Sequence, residues 1–215
     1  MAMQKGSIHS EYRRELKKRI LDCAVDKFFT LGIRAVKMDD IAKALGISKR
    51  TLYEIYSDKE QLLVDGFKYQ FEISEGRLVE AQKNSNNVIE LLVAFYNIHM
   101  VEMSKFNPVV YMDVEKYPKA KDFLEKHART RDGVALEFFQ CGISEGYFRD
   151  DIDYRIMLDI LSLSTRAILT EQLFNKYPLQ HLFHNIMIIY LRGLCTLKGV
   201  TLLDELMHNK WITSN

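Results

Sequence analysis

Proline and glycine are scarce in this chain, which has only 3 Pro and 10 Gly among its 215 residues. All-β proteins need many such residues at their turns, and both residue types interrupt helices. The chain also lacks strand-like alternation of apolar and polar residues over any useful length. With a hydrophobic content of 47% and 27% charged residues, this composition predicts an all-α globular protein.

Cysteine is equally sparse: Cys23, Cys141 and Cys195 are odd in number, far apart, and form no C-x-x-C motif. The simplest interpretation is three reduced core thiols in a cytoplasmic protein. The N-terminus has no apolar segment typical of a signal peptide, and no apolar run approaches about 18 residues. We therefore expect neither export nor a membrane span.

The small net charge of +1 hides an asymmetry between the two ends of the chain. Residues 1 to 60 carry 13 Lys and Arg against 9 Asp and Glu, a net +4, whereas residues 61 to 215 carry 17 against 20, a net −3. A basic N-terminal part on an acidic body is typical of a protein that binds nucleic acid at one end.

Residues 38 to 63 have the spacing of a helix-turn-helix, the motif in which a second helix enters a DNA groove. Its first helix has one apolar face formed by Met38, Ile41, Ala42 and Leu45. Gly46 follows where a residue free to adopt positive φ turns the chain most cheaply. Ser48 is the predicted N-cap of the second helix, and the S-x-x-E sequence from Ser57 to Glu60 predicts a capping box for a further helix.

These residues resemble the DNA-binding domain of the TetR/AcrR family of bacterial transcriptional regulators over residues 12 to 64. The shared motifs are an Ile-Ala pair, a Gly-Ile-Ser turn, a Thr-Leu-Tyr triplet, an aromatic residue and an Asp-Lys-Glu-x-Leu-Leu helix start, at residues 41–42, 46–48, 51–53, 56 and 58–63. The sequence departs from the family at Lys37, usually a capping Thr, at Arg50, often Gly, and at Ile55, often a phosphate-contacting His or Tyr. The resemblance implies repression at an operator and ligand-induced release.

The predicted fold is all-α, with a three-helix DNA-binding domain at residues 1–60 and a ligand-binding and dimerisation domain at residues 61–215, about nine helices in all. Residues 1–10 are predicted to be disordered. Helix 4 should run from Asp58 to about Gln82 and link the two domains. Helices 8 and 9 are expected from about Tyr154 to Lys176 and from Leu179 to Leu197.

The chemistry of groove binding selects a set of candidate DNA contacts. Residues in the first turn of the second helix can reach base edges, and an arginine there can bind guanine through two hydrogen bonds. Tyr53 and Lys59 match family positions that hold phosphates. The predicted DNA-binding residues are Lys37, Ser48, Lys49, Arg50, Thr51, Tyr53 and Lys59. The alternative is that Lys49 and Arg50 belong to an ordinary solvated helix face and that Tyr53 is a core aromatic residue, an interpretation we prefer for Tyr56.

Helices 8 and 9 are apolar on more than one face, which predicts that a second copy of the chain covers one of them. The predicted dimerisation residues are Ile156, Ile160, Leu163, Ala167, Leu182, Ile186, Ile189, Tyr190, Gly193 and Leu197. The alternative is that both faces pack within one chain beneath residues 200–212.

The body also concentrates aromatic residues, methionine and histidine, a composition suited to an adaptable and largely apolar ligand cavity. The predicted ligand-binding residues are Phe67, Phe71, Phe95, Tyr96, His99, Met100, Met103, Tyr111, Met112, Phe123, His127, Phe138 and Arg166. Each alone is compatible with a core role, and Arg166 can instead pair with Glu137 or Glu171.

No catalytic or metal-binding pattern emerges: G-x-S-x-G, P-loop and H-E-x-x-H motifs are absent, and His181 and His184 have no evident further ligands. We therefore predict a homodimeric, non-enzymatic regulator without cofactor or metal, which binds a palindromic operator in double-stranded DNA and is released by a small molecule. The alternatives are an activator of the same fold, or an all-α ligand-binding or enzymatic protein whose helix-turn-helix binds another protein.

Overall fold

The computed structural model describes the backbone of residues 2–211 and the side chains of residues 11–207. The described backbone forms ten α-helices, one short 3-10 helix (Leu173–Asn175) and no strand, which confirms the predicted all-α class. The helices are α1 (Ala2–Leu31), α2 (Met38–Leu45), α3 (Lys49–Ile55), α4 (Lys59–Lys83), α5 (Val88–Lys105), α6 (Val109–Val114), α7 (Pro118–Ser144), α8 (Tyr154–Thr170), α9 (Leu179–Leu194) and α10 (Leu197–Trp211). The predicted disordered segment, residues 1–10, lies outside the residues whose side chains are described.

Local capping signals account for several helix boundaries. Asn87 begins α5 by accepting a hydrogen bond from the backbone N–H of Glu90 through its side-chain oxygen, at 3.0 Å. Gly146 lies just beyond α7 with φ of 75°, a left-handed conformation that stops a helix. The same kind of signal in the sequence, a polar loop before Val88 and a proline at residue 118, predicts the starts of α5 and α7, and the structure confirms both.

The capping box predicted at the start of α4 is wrong in its details. The N-cap is Asp58, whose Oδ1 accepts the backbone N–H of Gln61 at 2.8 Å, while the Ser57 hydroxyl donates to the other Asp58 oxygen at 3.1 Å. Glu60 instead accepts the backbone N–H of Lys119 at 2.8 Å, in the first turn of α7. The sequence pattern fails because the partner of Glu60 lies 59 residues away.

The ninth helix ends three residues earlier than predicted, and Leu197–Trp211 form a tenth helix. α9 ends at Leu194 because Cys195 adopts an extended conformation and forms an isolated antiparallel bridge with Phe148. The backbone N–H of Arg149 donates to Leu194 O, and that of Thr196 donates to Tyr147 O, both at 2.9 Å. Leu197 is therefore the first residue of α10 and does not continue the apolar face of α9.

The chain forms two compact units, each assembled from two stretches of sequence. The N-terminal unit comprises Met1–Ile73 and Asn107–Glu125, and the C-terminal unit comprises Ser74–Phe106 and Lys126–Asn215. Helices α4 and α7 each contribute residues to both units. The functional boundary near residue 60 stays a prediction, although the N-terminal unit extends beyond it and includes α6.

Each unit has its own apolar core. In the N-terminal unit, fully buried apolar side chains from α1 to α4 and the α1–α2 loop are each at most 1% exposed, namely Ile20, Phe28, Ile33, Ile41, Leu52, Leu62 and Leu63. In the C-terminal unit α5 packs against α9 and α10 around Ile89, Leu92, Leu191 and Leu203. Each such side chain contributes about 1.5–3 kcal/mol on burial, so the helix-turn-helix is held by a core of its own unit.

Candidate nucleic-acid interface

The helix-turn-helix forms as the local sequence predicts. Gly46 has φ of 64°, and the backbone N–H of Ile47 returns to Ala42 O at 3.1 Å, which closes the end of α2. The Ser48 hydroxyl accepts the backbone N–H of Thr51 at 3.0 Å, so the predicted N-cap of α3 is confirmed. Its oxygen also lies 2.7 Å from Thr51 Oγ1. These bonds fix the first turn of α3, the recognition helix.

Lys37 occupies the N-cap position of α2, but an ammonium group cannot accept a hydrogen bond from the helix. The start of α2 is held instead by a side chain from within the helix that reaches back to the cap. Asp40 Oδ2 accepts the backbone N–H of Lys37 at 2.8 Å. The sequence pattern had not led us to Asp40. The signal that could have identified it is an acidic residue at the third helical position, where it can reach back to the cap.

Two cations project from the first turn of the recognition helix, and both contact acids. The Lys49 ammonium lies 2.9 Å from Asp39 Oδ1, and the Arg50 Nε lies 2.9 Å from Glu54 Oε1. The hydrogen bond and charge of Asp39 raise the pKa of Lys49 above its ordinary value. Tyr53 is 42% exposed and is therefore not a core residue. Lys49, Arg50 and Tyr53, three of the side chains predicted to reach DNA, thus lie on an accessible surface.

Tyr56 belongs to the core, as we preferred on sequence grounds. Its side chain is 1% exposed, and its hydroxyl has no hydrogen-bond partner among the described residues. Burial, together with the nearby carboxylate of Asp65, raises the pKa of Tyr56 far above its ordinary value. The aromatic ring therefore stabilises the unit through packing, while its hydroxyl contributes nothing favourable.

Lys59 has a structural task that the sequence did not indicate. Its ammonium donates to the carbonyl oxygens of Ile33 and Val36, and so closes the loop between α1 and α2. Burial lowers its pKa, an effect opposed by the carboxylates of Asp113 and Asp40. A phosphate contact by Lys59 stays a prediction, but the half-buried ammonium already serves the fold.

The loop and the end of α1 have a second support from Asp113 of α6 and from Asn107 just before it, which the sequence did not indicate either. Asp113 is only 5% exposed, and its Oδ2 accepts the backbone N–H of Arg34 at 2.7 Å. Asn107 donates its backbone N–H to Phe29 O at 2.7 Å and its side-chain amide to Thr30 O at 3.2 Å. Nothing in the local sequence of α6 identifies these partners, because they lie more than 70 residues away.

The predicted ligand-binding residues are divided between the two units. In the N-terminal unit, the rings of Phe67 and Phe71 are 6.5 Å apart, and those of Phe71 and Phe123 are 6.1 Å apart. Phe67 is buried, Tyr111 is half-buried, and Met112 is 44% exposed. The structure therefore brings Phe67, Phe71 and Phe123 together.

In the C-terminal unit the candidates gather around α5 and α9. The rings of Phe95 and His99 are 4.1 Å apart, and the Tyr96 hydroxyl lies 2.7 Å from His184 Nδ1. Phe183, which was not among the predicted ligand-binding residues, stacks on Tyr96 at 6.0 Å and lies 6.1 Å from His99. The aromatic pattern of α9 could have indicated Phe183, but that helix was assigned to the dimer interface.

Four further candidates of this unit make other contacts, and two of them, Met100 and Phe138, pack against the same core cluster as Tyr96. Met100 contributes its carbonyl oxygen to the Gln180 amide at 3.1 Å, and Met103 is half-buried. His127 lies 3.9 Å from Glu75, and Phe138 packs on Phe148 at 5.6 Å. Arg166 is exposed and forms no described ion pair, so neither Glu137 nor Glu171 pairs with it among the described side chains.

A polar network that the sequence did not predict lies beside the aromatic group. Glu102 accepts the Ser74 hydroxyl at 2.5 Å and the Arg77 guanidinium at 3.4 Å, and its other oxygen lies 3.1 Å from His99 Nδ1. Burial by itself raises the pKa of Glu102, but His99, Ser74 and Arg77 together hold it below its ordinary value. The carboxylate is therefore an ionised group at the edge of an otherwise apolar cluster.

Two open clefts occur elsewhere in the C-terminal unit, with volumes of about 420 and 360 Å³. Charged residues of the α7–α8 loop, Arg149, Asp150 and Asp151, line the first, and Phe139, Tyr154 and Arg155 are among those lining the second. None of the predicted ligand-binding residues lines either cleft, so these clefts do not correspond to the predicted ligand cavity.

An exposed apolar face lies on α8 and α9. Ile156, Ile160 and Leu163 are 57%, 49% and 60% exposed, and Ala167 continues the same face. On α9, Ile189 is 71% exposed and Gly193 is exposed, whereas Leu182, Ile186 and Tyr190 are half-buried. Ser164 Oγ and the Tyr190 hydroxyl, 3.3 Å apart, connect the two helices. So large an apolar surface is typical of an interface.

The cysteines are free thiols, but they are not all core residues. Cys195 is buried, and burial raises its pKa to about 11. Cys141 is exposed, which corrects our expectation of a core thiol, and a hydrogen bond to Glu145 raises its pKa. The described side chains contain no cluster of three His, Cys, Asp or Glu residues suited to a metal ion. No described helix is long and apolar enough to cross a membrane.

A stabilised helix-turn-helix with an accessible, cation-bearing recognition helix, in an all-α chain, defines a DNA-binding regulatory protein. Residues 20–65 match the family model described as bacterial regulatory proteins, tetR family. This match assigns the helix-turn-helix part of the chain, residues 20–65, to the TetR family of transcriptional regulators.

Relatives and solved structures agree with this assignment. The chain is 25% identical over 160 residues to the HTH-type transcriptional repressor KstR2 of Mycolicibacterium smegmatis, covering 70% of this chain and 78% of KstR2. It is 21% identical over 192 residues to the fatty acid metabolism regulator protein of Bacillus subtilis, covering 85% and 97% of the two chains. The structure is also similar to that of FadR from Bacillus subtilis in complex with stearoyl-CoA, with a TM-score of 0.59, 21% identity, and coverage of 80% and 96%.

Proposed function

We propose that this regulator is a repressor that binds a palindromic operator as a homodimer and is released by a small, largely apolar ligand. The observation that carries the proposal is the recognition helix, capped by Ser48 and exposing Lys49, Arg50 and Tyr53. Repression is supported by the relative named a transcriptional repressor. Thr51, Lys37 and Lys59 are the other contacts proposed for DNA, and Ser48 is able to reach a phosphate while it caps the helix.

The homodimer is supported by the exposed apolar face of α8 and α9. A helix-turn-helix dimer binds two half-sites about one helical turn apart, and so reads an operator whose symmetry matches its own. Two copies of the face, joined by a twofold axis, would cover the residues from Ile156 to Ala167 on α8 and those around Ile189 and Gly193 on α9.

The ligand is expected to combine an apolar body with a polar end. The aromatic group around Tyr96, His99 and Phe183 offers apolar contacts, and Glu102 with its partners offers hydrogen bonds beside it. A similar structure holds stearoyl-CoA, a molecule with this division into an acyl chain and a polar head. A fatty acyl thioester is therefore the first ligand class to test.

The test begins with selection of duplexes bound by the full chain from a random DNA pool. Enrichment of a palindrome is the expected result, and enrichment of no sequence would refute operator recognition. The selected duplex is then titrated with and without stearoyl-CoA. We expect stearoyl-CoA to weaken binding of the duplex by about 1–3 kcal/mol, or about 5- to 150-fold in affinity. Linkage requires that the operator weaken ligand binding by the same factor. Equal calorimetric affinities with and without operator would show that stearoyl-CoA does not occupy the regulatory site.

Two alternatives differ from this proposal in measurable ways. An activator would bind the same selected duplex but raise transcription from a template that carries it. If instead the helix-turn-helix served protein binding, the random pool would yield no enriched duplex. The accessible cations of α3 favour DNA over an acidic protein surface, because the surrounding helix-turn-helix supplies the groove-matching geometry.

A further inference from the structure

Each of the two cations at the start of the recognition helix has an acidic partner on the same unit. Lys49 pairs with Asp39 of α2, and Arg50 pairs with Glu54, one turn further along α3. All four side chains are between 53% and 88% exposed. Such exposed pairs add little to stability. Their position on the surface offered to DNA suggests that they act on binding instead.

We infer that Asp39 and Glu54 are specificity-determining residues, which hold Lys49 and Arg50 in position for base edges and oppose their use as general phosphate contacts. This inference rests on the proposed DNA-binding function. It assigns a role to two acids that carry the wrong sign of charge for DNA, and it deepens the proposal by saying how non-operator DNA is rejected.

Binding to DNA of arbitrary sequence comes almost wholly from cations that neutralise phosphates and release counterions. Lys49 and Arg50 are already neutralised by Asp39 and Glu54, so each gains less from a phosphate than an unpaired cation would. Any phosphate that approaches also meets the negative charge of the two acids. A protein can gain specificity by placing charges that the wrong partner would repel or leave unpaired.

A matching base pair can be contacted without breaking either ion pair. The pair with Glu54 uses Nε of Arg50, and this leaves the terminal nitrogens of the guanidinium for O6 and N7 of guanine. The Lys49 ammonium likewise has three N–H donors, of which the contact to Asp39 does not use all. Both acids can therefore stay in place while the cations bind base edges.

The end of α3 that carries Glu54, the partner of Arg50, is itself supported by α1. Arg13 of α1 donates a hydrogen bond from Nη2 to the backbone oxygen of Glu54 at 3.2 Å. The main chain at the end of α3 is thus tied to α1, and the Glu54 carboxylate starts from a fixed point. The Arg50–Glu54 pair can therefore restrict the rotamers of Arg50 before DNA binds. This reduces the conformational entropy that Arg50 loses when it contacts a base.

The test compares the wild type with Asp39→Asn, Glu54→Gln and the double variant, using the duplex selected from the random pool and a scrambled duplex of equal length. We expect the double variant to bind the scrambled duplex about tenfold more tightly, with a much smaller change on the selected duplex. The salt dependence on the scrambled duplex should steepen by about 0.9 per cation freed from its acid.

Matched controls separate specificity from net charge. Glu72→Gln removes one exposed carboxylate from α4, away from the recognition helix, and should shift both duplexes by the same small factor. Asp39→Glu and Glu54→Asp keep the charge and should retain most of the preference for the selected duplex. Thermal unfolding of each variant confirms that the fraction folded is unchanged at the temperature of binding.

The outcomes are distinct. A larger gain on scrambled than on selected DNA supports the inference. Equal gains on both duplexes, matching those of Glu72→Gln, would overturn it and leave the acids as general charges. No change on either duplex would also overturn it. If the wild type enriches no sequence at all, the proposed function fails first, and the inference fails with it.

Discussion

The backbone N–H of Arg34 donates to the buried carboxylate of Asp113 at 2.7 Å, so a residue of α6 holds the loop that leads into the helix-turn-helix. Lys59 reaches the same loop from α4 through the carbonyl oxygens of Ile33 and Val36. The loop therefore depends on one anionic acceptor and one cationic donor, both from helices other than the two that it connects. This arrangement makes the loop a sensitive point for mutation.

Asp113→Ala should destabilise the N-terminal unit by about 1–3 kcal/mol, because it leaves the Arg34 N–H without its acceptor in a buried setting. Asp113→Asn, which keeps one side-chain oxygen, should cost less. Urea unfolding of both variants measures the difference. Glu72→Ala, at an exposed position of α4, serves as control and should lie within about 0.5 kcal/mol of the wild type. An Asp113→Ala protein as stable as this control would contradict the structural role.

Lys59→Met should also lower stability by about 1–3 kcal/mol, since it leaves two carbonyl oxygens of the loop without their donor. DNA affinity measured well below the unfolding temperature should then change little. Lys18→Met, at an exposed position of α1, is the matched control for loss of one positive charge. Normal stability combined with weaker binding to selected and scrambled duplexes alike would contradict the structural role and support the phosphate contact that the sequence predicts.

Tyr56→Phe should leave the protein as stable as the wild type or more stable by about 1 kcal/mol, because it removes a buried hydroxyl without a described partner. The variant should also resist alkali better. Unfolded tyrosine ionises near pH 10, whereas burial raises the pKa of Tyr56 in the folded chain. The folded state therefore keeps a proton that the unfolded state loses, and stability falls as the pH rises above about 10.

Urea midpoints between pH 8 and 11 test this expectation for Tyr56→Phe against Tyr12→Phe, an exposed tyrosine of α1. The curve for Tyr56→Phe should be flatter than that of the wild type above about pH 10, and the curve for Tyr12→Phe should follow the wild type. A clear loss of stability in Tyr56→Phe at neutral pH would mean that the hydroxyl has a favourable partner.

Gly193→Leu and Ile189→Glu should each yield monomers that bind the operator much more weakly, because a monomer engages one half-site at a time. A Cβ atom at Gly193 would meet nothing within 4 Å in the isolated chain, and Ile189 is 71% exposed. Folding of the monomer should therefore survive both changes. Sedimentation at micromolar concentration measures the oligomeric state, with Val79→Glu on α4 as an exposed control. A monomeric wild type would defeat the dimer proposal.

Much of the fold follows from sequence because its determinants are local. The periodic apolar residues and the caps Ser48 and Asn87 act within one helical turn, so the extents of α3 and α5 were predictable. The start of α4 was predictable too, but its cap was not, since Ser57 and Asp58 are both capable of capping and only the structure selects Asp58. Leu197 was misplaced because the bridge between Phe148 and Cys195 interrupts an otherwise continuous apolar run.

The candidate site was predictable to a lesser extent. Motif spacing placed Lys49, Arg50 and Tyr53 on an accessible helix face, but it gave no sign that Asp39 and Glu54 pair with the two cations. The ligand candidates were chosen by residue type, which does not say which aromatic residues meet. Phe67 and Phe123 consequently belong to one unit and Tyr96 to the other. Asp113 and Glu60 were missed because their partners are distant in sequence.

The N-terminal unit is built from two separate stretches of chain, and this affects how such regulators can be recombined. A graft of residues 1–73 onto another body would carry the recognition helix but not Asp113, Asn107 or the Lys119 N–H that meets Glu60. A chimera that exchanges the DNA-binding part should therefore transplant residues 107–125 as well. In this chain the smallest part that can be transferred as a whole consists of two separate segments of sequence.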